Sequence, residues 1–133
     1  MKEARAIRKR GFTHTVEIRG GDHVLTADES RKDGGYDEGP SPQELLAASL
    51  ASCSAVTLEM YATRKGWQIG DVTVEVSFEP AQRGSPTRFD IAVKLSKDLP
   101  EEQRDRLMQI VARCPVHRTL EGEVIFEEKL ELV

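Results

Sequence analysis

The stretch from Leu45 to Leu58 (LLAASLASCSAVTL) carries no charge and sets apolar or small residues on every helical face, and it restricts the folds open to this chain more than any other feature. A helix that is apolar all round is expected to be buried all round. Its start is marked by Ser41-Pro42-Gln43-Glu44, with serine at the N-cap, proline at the first helical position and glutamate at N3 to close a capping box. Its end is expected near Lys65, with Gly66 as the left-handed stop. The uncharged run is shorter than the roughly 20 residues that a bilayer span requires. Ser49, Ser52, Ser54 and Thr57 also interrupt it, so a core helix is expected and a membrane segment is not. A chain of 133 residues has difficulty enclosing such a helix alone, which points to a homodimer that supplies the missing wall.

Strand patterns flank this helix. Lys2 to Arg10 alternates weakly and reads as an edge strand; then Phe12, His14, Val16 and Ile18 oppose Thr13, Thr15, Glu17 and Arg19. Gly20-Gly21 turns the chain into His23-Val24-Leu25-Thr26-Ala27, completing a hairpin. Residues Ala27 to Pro40 (ADESRKDGGYDEGP) have no apolar period and form a surface loop of a length that is often functional. After Gly70, the alternation of Val72, Val74, Val76 and Phe78, then of Phe89, Ile91, Val93 and Leu95, predicts a second antiparallel hairpin with one buried face. Pro100-Glu101-Glu102 opens a second helix whose stripe is Leu107, Ile110, Val111 and Cys114, and Pro115 ends or kinks it. Gly122 leads into a last predicted strand carrying Val124, Phe126, Leu130 and Leu132. The order is that of an α+β fold, read as a single domain over residues 1–133.

The formal charge of −4 repels a phosphate backbone, so nucleic acid is not an expected partner. Cys53 and Cys114 are too few for a disulfide scaffold, and Met1-Lys2-Glu3-Ala4-Arg5 does not lead into an apolar signal core. A cytoplasmic, reducing setting is expected. Cys53, in mid-helix, lacks the helix N-terminus that lowers thiol pKa elsewhere, so a reactive Cys53 needs a nearby cation. Cys114 sits among cations in Arg113-Cys114-Pro115-Val116-His117-Arg118. Two inward cysteines from two helices allow two readings: core filler, since free cysteine packs as a small hydrophobe, or a peroxidatic thiol with a resolving partner. His117 could orient or ionise a cysteine, or interact with a helix C-terminus. There is no Cys-x-x-Cys pair, and His14, His23 and His117 have no ligand spacing, so no metal is expected. No Gly-x-Ser-x-Gly elbow or phosphate loop is present, and no cofactor is expected.

Gly39-Pro40-Ser41-Pro42-Gln43-Glu44-Leu45-Leu46-Ala47-Ala48, then Ala51-Ser52-Cys53, together with Arg113-Cys114-Pro115-Val116-His117, resemble the osmotically inducible protein C and organic hydroperoxide resistance (OsmC/Ohr) superfamily, in its divergent OsmC-like branch. The resemblance implies antiparallel sheets wrapped around two central helices in an intertwined homodimer, with active sites at the subunit interface. It further implies reduction of organic or fatty-acid hydroperoxides in oxidative-stress defence, with Cys53 peroxidatic and Cys114 resolving. Recycling would come from a dithiol such as a lipoylated protein, or from a low-molecular-weight thiol. Characterised peroxidases of the superfamily hold an arginine against the thiolate with a glutamate ten residues before the cysteine. Here Gln43 stands at that place, with Glu44 next to it, and Arg31 is the best cation by position, Arg118 or His117 being substitutes. The alternative is a non-catalytic or weakly catalytic dimer of the same fold that binds a small apolar or thiol ligand at its interface.

Overall fold

Three helices and two small antiparallel sheets make up the chain, and the computed structural model describes all 133 residues. The strands are β1 (Ala4–Arg10), β2 (Thr13–Ile18), β3 (His23–Ala27), β4 (Val72–Phe78) and β5 (Phe89–Leu95). The helices are α1 (Pro42–Lys65), α2 (Glu101–Val111) and α3 (Pro115–Glu121). The architecture is α+β, as the element order predicts. Residues group into two compact units, Met1–Ala48 and Ser49–Val133.

In the first unit the strands pair in the order β1-β2-β3, with Ala4 opposite Ile18 and His14 opposite Ala27. Thr13 is fully buried while Phe12 is half exposed and lies outside the strand. The Thr13 hydroxyl donates to the Asp28 carboxylate at 2.8 Å, so the buried polar pair is satisfied.

Asp28 organises the loop that follows β3. Its carboxylate also accepts from the backbone N–H of Glu29, at 2.8 Å, and from those of Tyr36 and Glu38. Its own N–H donates to the Pro40 carbonyl at 3.1 Å, which pins the two ends of the loop together. Burial pushes the Asp28 carboxyl up, but the Thr13 hydroxyl and the three backbone donors outweigh it and hold it below the ordinary carboxylate value of 3.8. A depressed folded-state pKa contributes stability above the unfolded value that is lost as pH falls through the folded one. Carbon NMR of the Asp28 carboxyl should therefore show a midpoint below 3.8, with the loop loosening only beneath that pH.

Both ends of α1 match the sequence signals. Glu44 N–H donates to Ser41 Oγ at 3.1 Å and Ser41 N–H to Glu44 Oε1 at 2.9 Å, the reciprocal bonds of a capping box. At the other end Gly66 takes φ +70°, Gly66 N–H bonds the Thr63 carbonyl and Trp67 N–H the Ala62 carbonyl. That is a Schellman stop, and its hydrophobic contact is Trp67 edge-on to Tyr61 at 5.5 Å. Ser41→Ala should cost about 1 kcal/mol, checked by chemical denaturation.

The core of the second unit joins Leu58, Tyr61 and Ala62 of α1 to Ile69, Leu99 and Leu107, Ile110 and Val111 of α2. Strands β4 and β5 close one side of it, Val74 pairing with Val93 and Val76 with Ile91, their alternate residues half-buried. Two expectations are corrected here. Helix α1 is not buried all round, since Val56 is 46% and Met60 63% exposed. The predicted last strand is absent: residues 122–133 form no strand, and Ile125, Phe126, Leu130 and Leu132 stand open. A strand exists only with a partner to bond, and within this chain the segment pairs with neither sheet.

Candidate active site

Cys53 occupies the middle of α1, half-buried, and Cys114 is fully buried; both are free thiols. Cys114 is not on α2, as its stripe predicts. That helix ends at Val111, Cys114 N–H bonds the Val111 carbonyl at 3.2 Å, and α3 begins at Pro115 with Cys114 as its N-cap. Pro115 lacks the N–H that continuing α2 would need, yet is suited to the first position of a new helix.

This break brings the two sulfurs together. Burial pushes the Cys53 thiol above its ordinary value of 9.0, and the adjoining Cys114 thiol pushes the same way through a hydrogen bond and through charge. The Val116 N–H and the Thr57 hydroxyl favour the thiolate but do not outweigh those effects. The second unit by itself thus sets one free thiol beside another.

The other predicted site residues are placed as follows. His117 lies in α3, its buried Nδ1 3.3 Å from Glu121 Oε1, near enough for an ion pair when protonated but not aligned for a hydrogen bond. Arg118 is exposed. Gln43 is exposed on the first turn of α1, and Glu44 is engaged in the capping box. Arg31 sits exposed on a short 3-10 turn, and no side-chain hydrogen bond or ion pair holds it. A different arginine is held: Arg10 at the end of β1 pairs with the Glu38 carboxylate, its guanidinium 4.6 Å from the centre of the Tyr36 ring. The Thr13–Asp28 and Arg10–Glu38 contacts leave no motif in the sequence beyond the length of the loop. A cavity of about 540 Å³ lined by Tyr61, Lys65, Trp67 and Arg106 includes neither cysteine in its wall. No cluster of three or more His, Cys, Asp or Glu side chains is arranged to hold a metal ion.

The family profile described as OsmC-like protein matches residues 35–129, and the chain belongs to that family. Among solved structures it is similar to the OsmC-like protein of Mycoplasma pneumoniae, at 20% identity over 92% of this chain and 88% of that one, with a TM-score of 0.77. It is similar to the organic hydroperoxide resistance protein OsmC of Legionella pneumophila, at 23% identity over 92% and 90% of the two chains, with a TM-score of 0.67. It is also similar to the organic hydroperoxide resistance protein of Bacillus subtilis, at 20% identity over 92% and 91%, with a TM-score of 0.62. No curated protein matches it. The chain has the OsmC-like fold.

Proposed function

We propose that the chain is a single OsmC-like domain that reduces organic hydroperoxides of the fatty-acid type in oxidative-stress defence. The observation that carries this reading is the buried Cys114 thiol set against the Cys53 thiol, both free. Membership of the OsmC-like family supports it, as do the names of the Legionella and Bacillus relatives.

In the proposed reaction the Cys53 thiolate attacks the O–O bond, taking one oxygen as sulfenic acid while the alkoxide leaves as alcohol with a proton. Cys114 then attacks the sulfenic sulfur, forming the disulfide and releasing water. An external dithiol, of the lipoyl type, or a low-molecular-weight thiol returns both cysteines to thiols. Arg31, Gln43, Glu44 and His117 are proposed as polar groups of this site, with His117, close to Cys114 in sequence, as proton carrier. The working form is proposed to be a cytoplasmic homodimer; the exposed Val56 and Met60 of α1 and the unpaired apolar segment from Val124 support that reading. One equivalent of cumene hydroperoxide added to reduced protein should give a product lighter by two hydrogens, and peptide mapping should find Cys53 joined to Cys114. Two surviving thiols with undiminished peroxide would sink the proposal.

The upward push on the Cys53 thiol favours a second reading, in which the dimer binds a small apolar or thiol ligand and turns over little or nothing. That reading requires Cys53→Ser to keep ligand affinity.

A further inference from the structure

The cavity of about 540 Å³ lined by the end of α1 and by α2 holds charge that the chain does not neutralise. Arg106 donates through Nε to the Tyr61 hydroxyl and through Nη1 to Gln109 Oε1, each at 3.0 Å, which leaves Nη2 free. Neither Arg106 nor Lys65 forms an ion pair. Glu102 stands one helical turn before Arg106, the spacing at which two such charges commonly meet. The guanidinium is committed to Tyr61 and Gln109 instead, so Glu102 and Asp105, both exposed in the cavity wall, also stay unpaired.

The aromatic part of the wall is fixed in advance, which lowers the ordering cost of binding. Tyr61 is buried in the core, and Trp67 stands edge-on to it at 5.5 Å, held by the helix stop that Gly66 makes. The Arg106 guanidinium lies 5.6 Å and the Lys65 ammonium 5.7 Å from the centre of the Tyr61 ring. The Arg106 hydrogen bond pulls the Tyr61 phenol below its ordinary value of 10.0 against the effect of burial, and the charges of Arg106, Lys65 and Arg113 pull the same way, so this end of the cavity is electropositive. Small-molecule sites commonly have such a volume, with aromatic faces and a few polar groups that set the orientation of a ligand. A simple anion would meet Glu102 and Asp105, and a simple cation would meet Lys65 and Arg106. A molecule with one charge of each sign satisfies both pairs.

We propose that this cavity binds a zwitterionic amino acid with an aromatic side chain, its carboxylate on Arg106 and Lys65, its ammonium on Glu102 and Asp105, and its ring against Trp67. Cys53 and Cys114 line no part of the cavity, so the site stands or falls apart from any reading of the two thiols. Trp67 is the one tryptophan of the chain and reports on the site directly.

The test is a titration of full-length protein with phenylalanine, followed by Trp67 emission under excitation that neither tyrosine nor phenylalanine absorbs. A saturable change with a Kd of about 1 mM or below is expected. Hydrocinnamate, which lacks the ammonium, and phenethylamine, which lacks the carboxylate, should each bind about tenfold more weakly. Glu102→Gln and Asp105→Asn should weaken phenylalanine about three- to tenfold and leave hydrocinnamate no weaker, whereas Arg106→Gln and Lys65→Gln should weaken hydrocinnamate and leave phenethylamine no weaker. Lys65 is exposed, so its variant keeps the test decisive if loss of the Arg106–Tyr61 bond in Arg106→Gln disturbs the fold. Arg83→Gln, exposed and outside the cavity wall, should change nothing. Constant emission up to about 10 mM phenylalanine, which would fill about nine-tenths of a site with a Kd of about 1 mM, would overturn the proposal. So would equal affinity for phenylalanine and either singly charged analogue, or an effect of Arg83→Gln as large as that of Lys65→Gln.

Discussion

Cys53→Ser will reduce peroxide consumption to the uncatalysed background, whereas Cys114→Ser will allow one turnover and then stop. A serine hydroxyl stays protonated where a thiol can ionise, and removal of a nucleophile typically costs on the order of a thousandfold or more in rate. Cys114 is not needed for the first step, because attack on the O–O bond consumes only the Cys53 thiolate. Without Cys114 the sulfenic acid persists, and dimedone should trap it at Cys53 as a stable adduct. Stopped-flow consumption of cumene hydroperoxide separates the variants, since Cys114→Ser shows a burst of one equivalent and Cys53→Ser shows none. Equal rates in the two variants would mean that neither thiol plays its proposed part. Full ligand affinity in a Cys53→Ser protein, with no peroxide turnover in the parent, would favour the binding reading.

The largest stability effect is expected at Leu58, which is fully buried between α2 and the β4–β5 sheet. Leu58→Ala removes buried methyl groups and leaves a cavity that close-packed neighbours fill only in part, at a cost of about 2–5 kcal/mol. Against a total stability of about 5–15 kcal/mol for a protein of ordinary stability, that is a large fraction, and denaturant titration should show the midpoint fall with little change in slope. Val56 lies two residues earlier on the same helix but is 46% exposed in the chain. For Val56→Ala the loss within one chain should be below about 1 kcal/mol. A larger loss that grows as the protein is diluted would place Val56 under a second copy.

Local signals were legible in the sequence and long-range ones were not. The capping box of α1 and its glycine stop depend on residues within one helical turn, and both were readable from Ser41, Glu44 and Gly66. The β4–β5 hairpin was readable because its partners lie on one continuous antiparallel pair with a single buried face. The segment from Val124 has a strand's alternation but no partner in the chain, and periodicity describes a face without saying what it meets. Cys114 was read as inward, and it is buried, but on the wrong element: spacing cannot register that Pro115 starts a helix as readily as it ends one. The Asp28 hub was invisible, because a carboxylate that collects amides eight and ten residues further on leaves no periodic trace.

The same hub divides its loop into positions that resist change and positions that tolerate it. Asp28, Gly35 and Gly39 are constrained by contacts that leave no room for another side chain or no substitute for the carboxylate. Arg31 and Lys32 are exposed, and exchanges there should alter stability by less than about 0.5 kcal/mol. A lineage could therefore revise the chemistry displayed by this loop, one outward residue at a time, without rebuilding the scaffold that displays it.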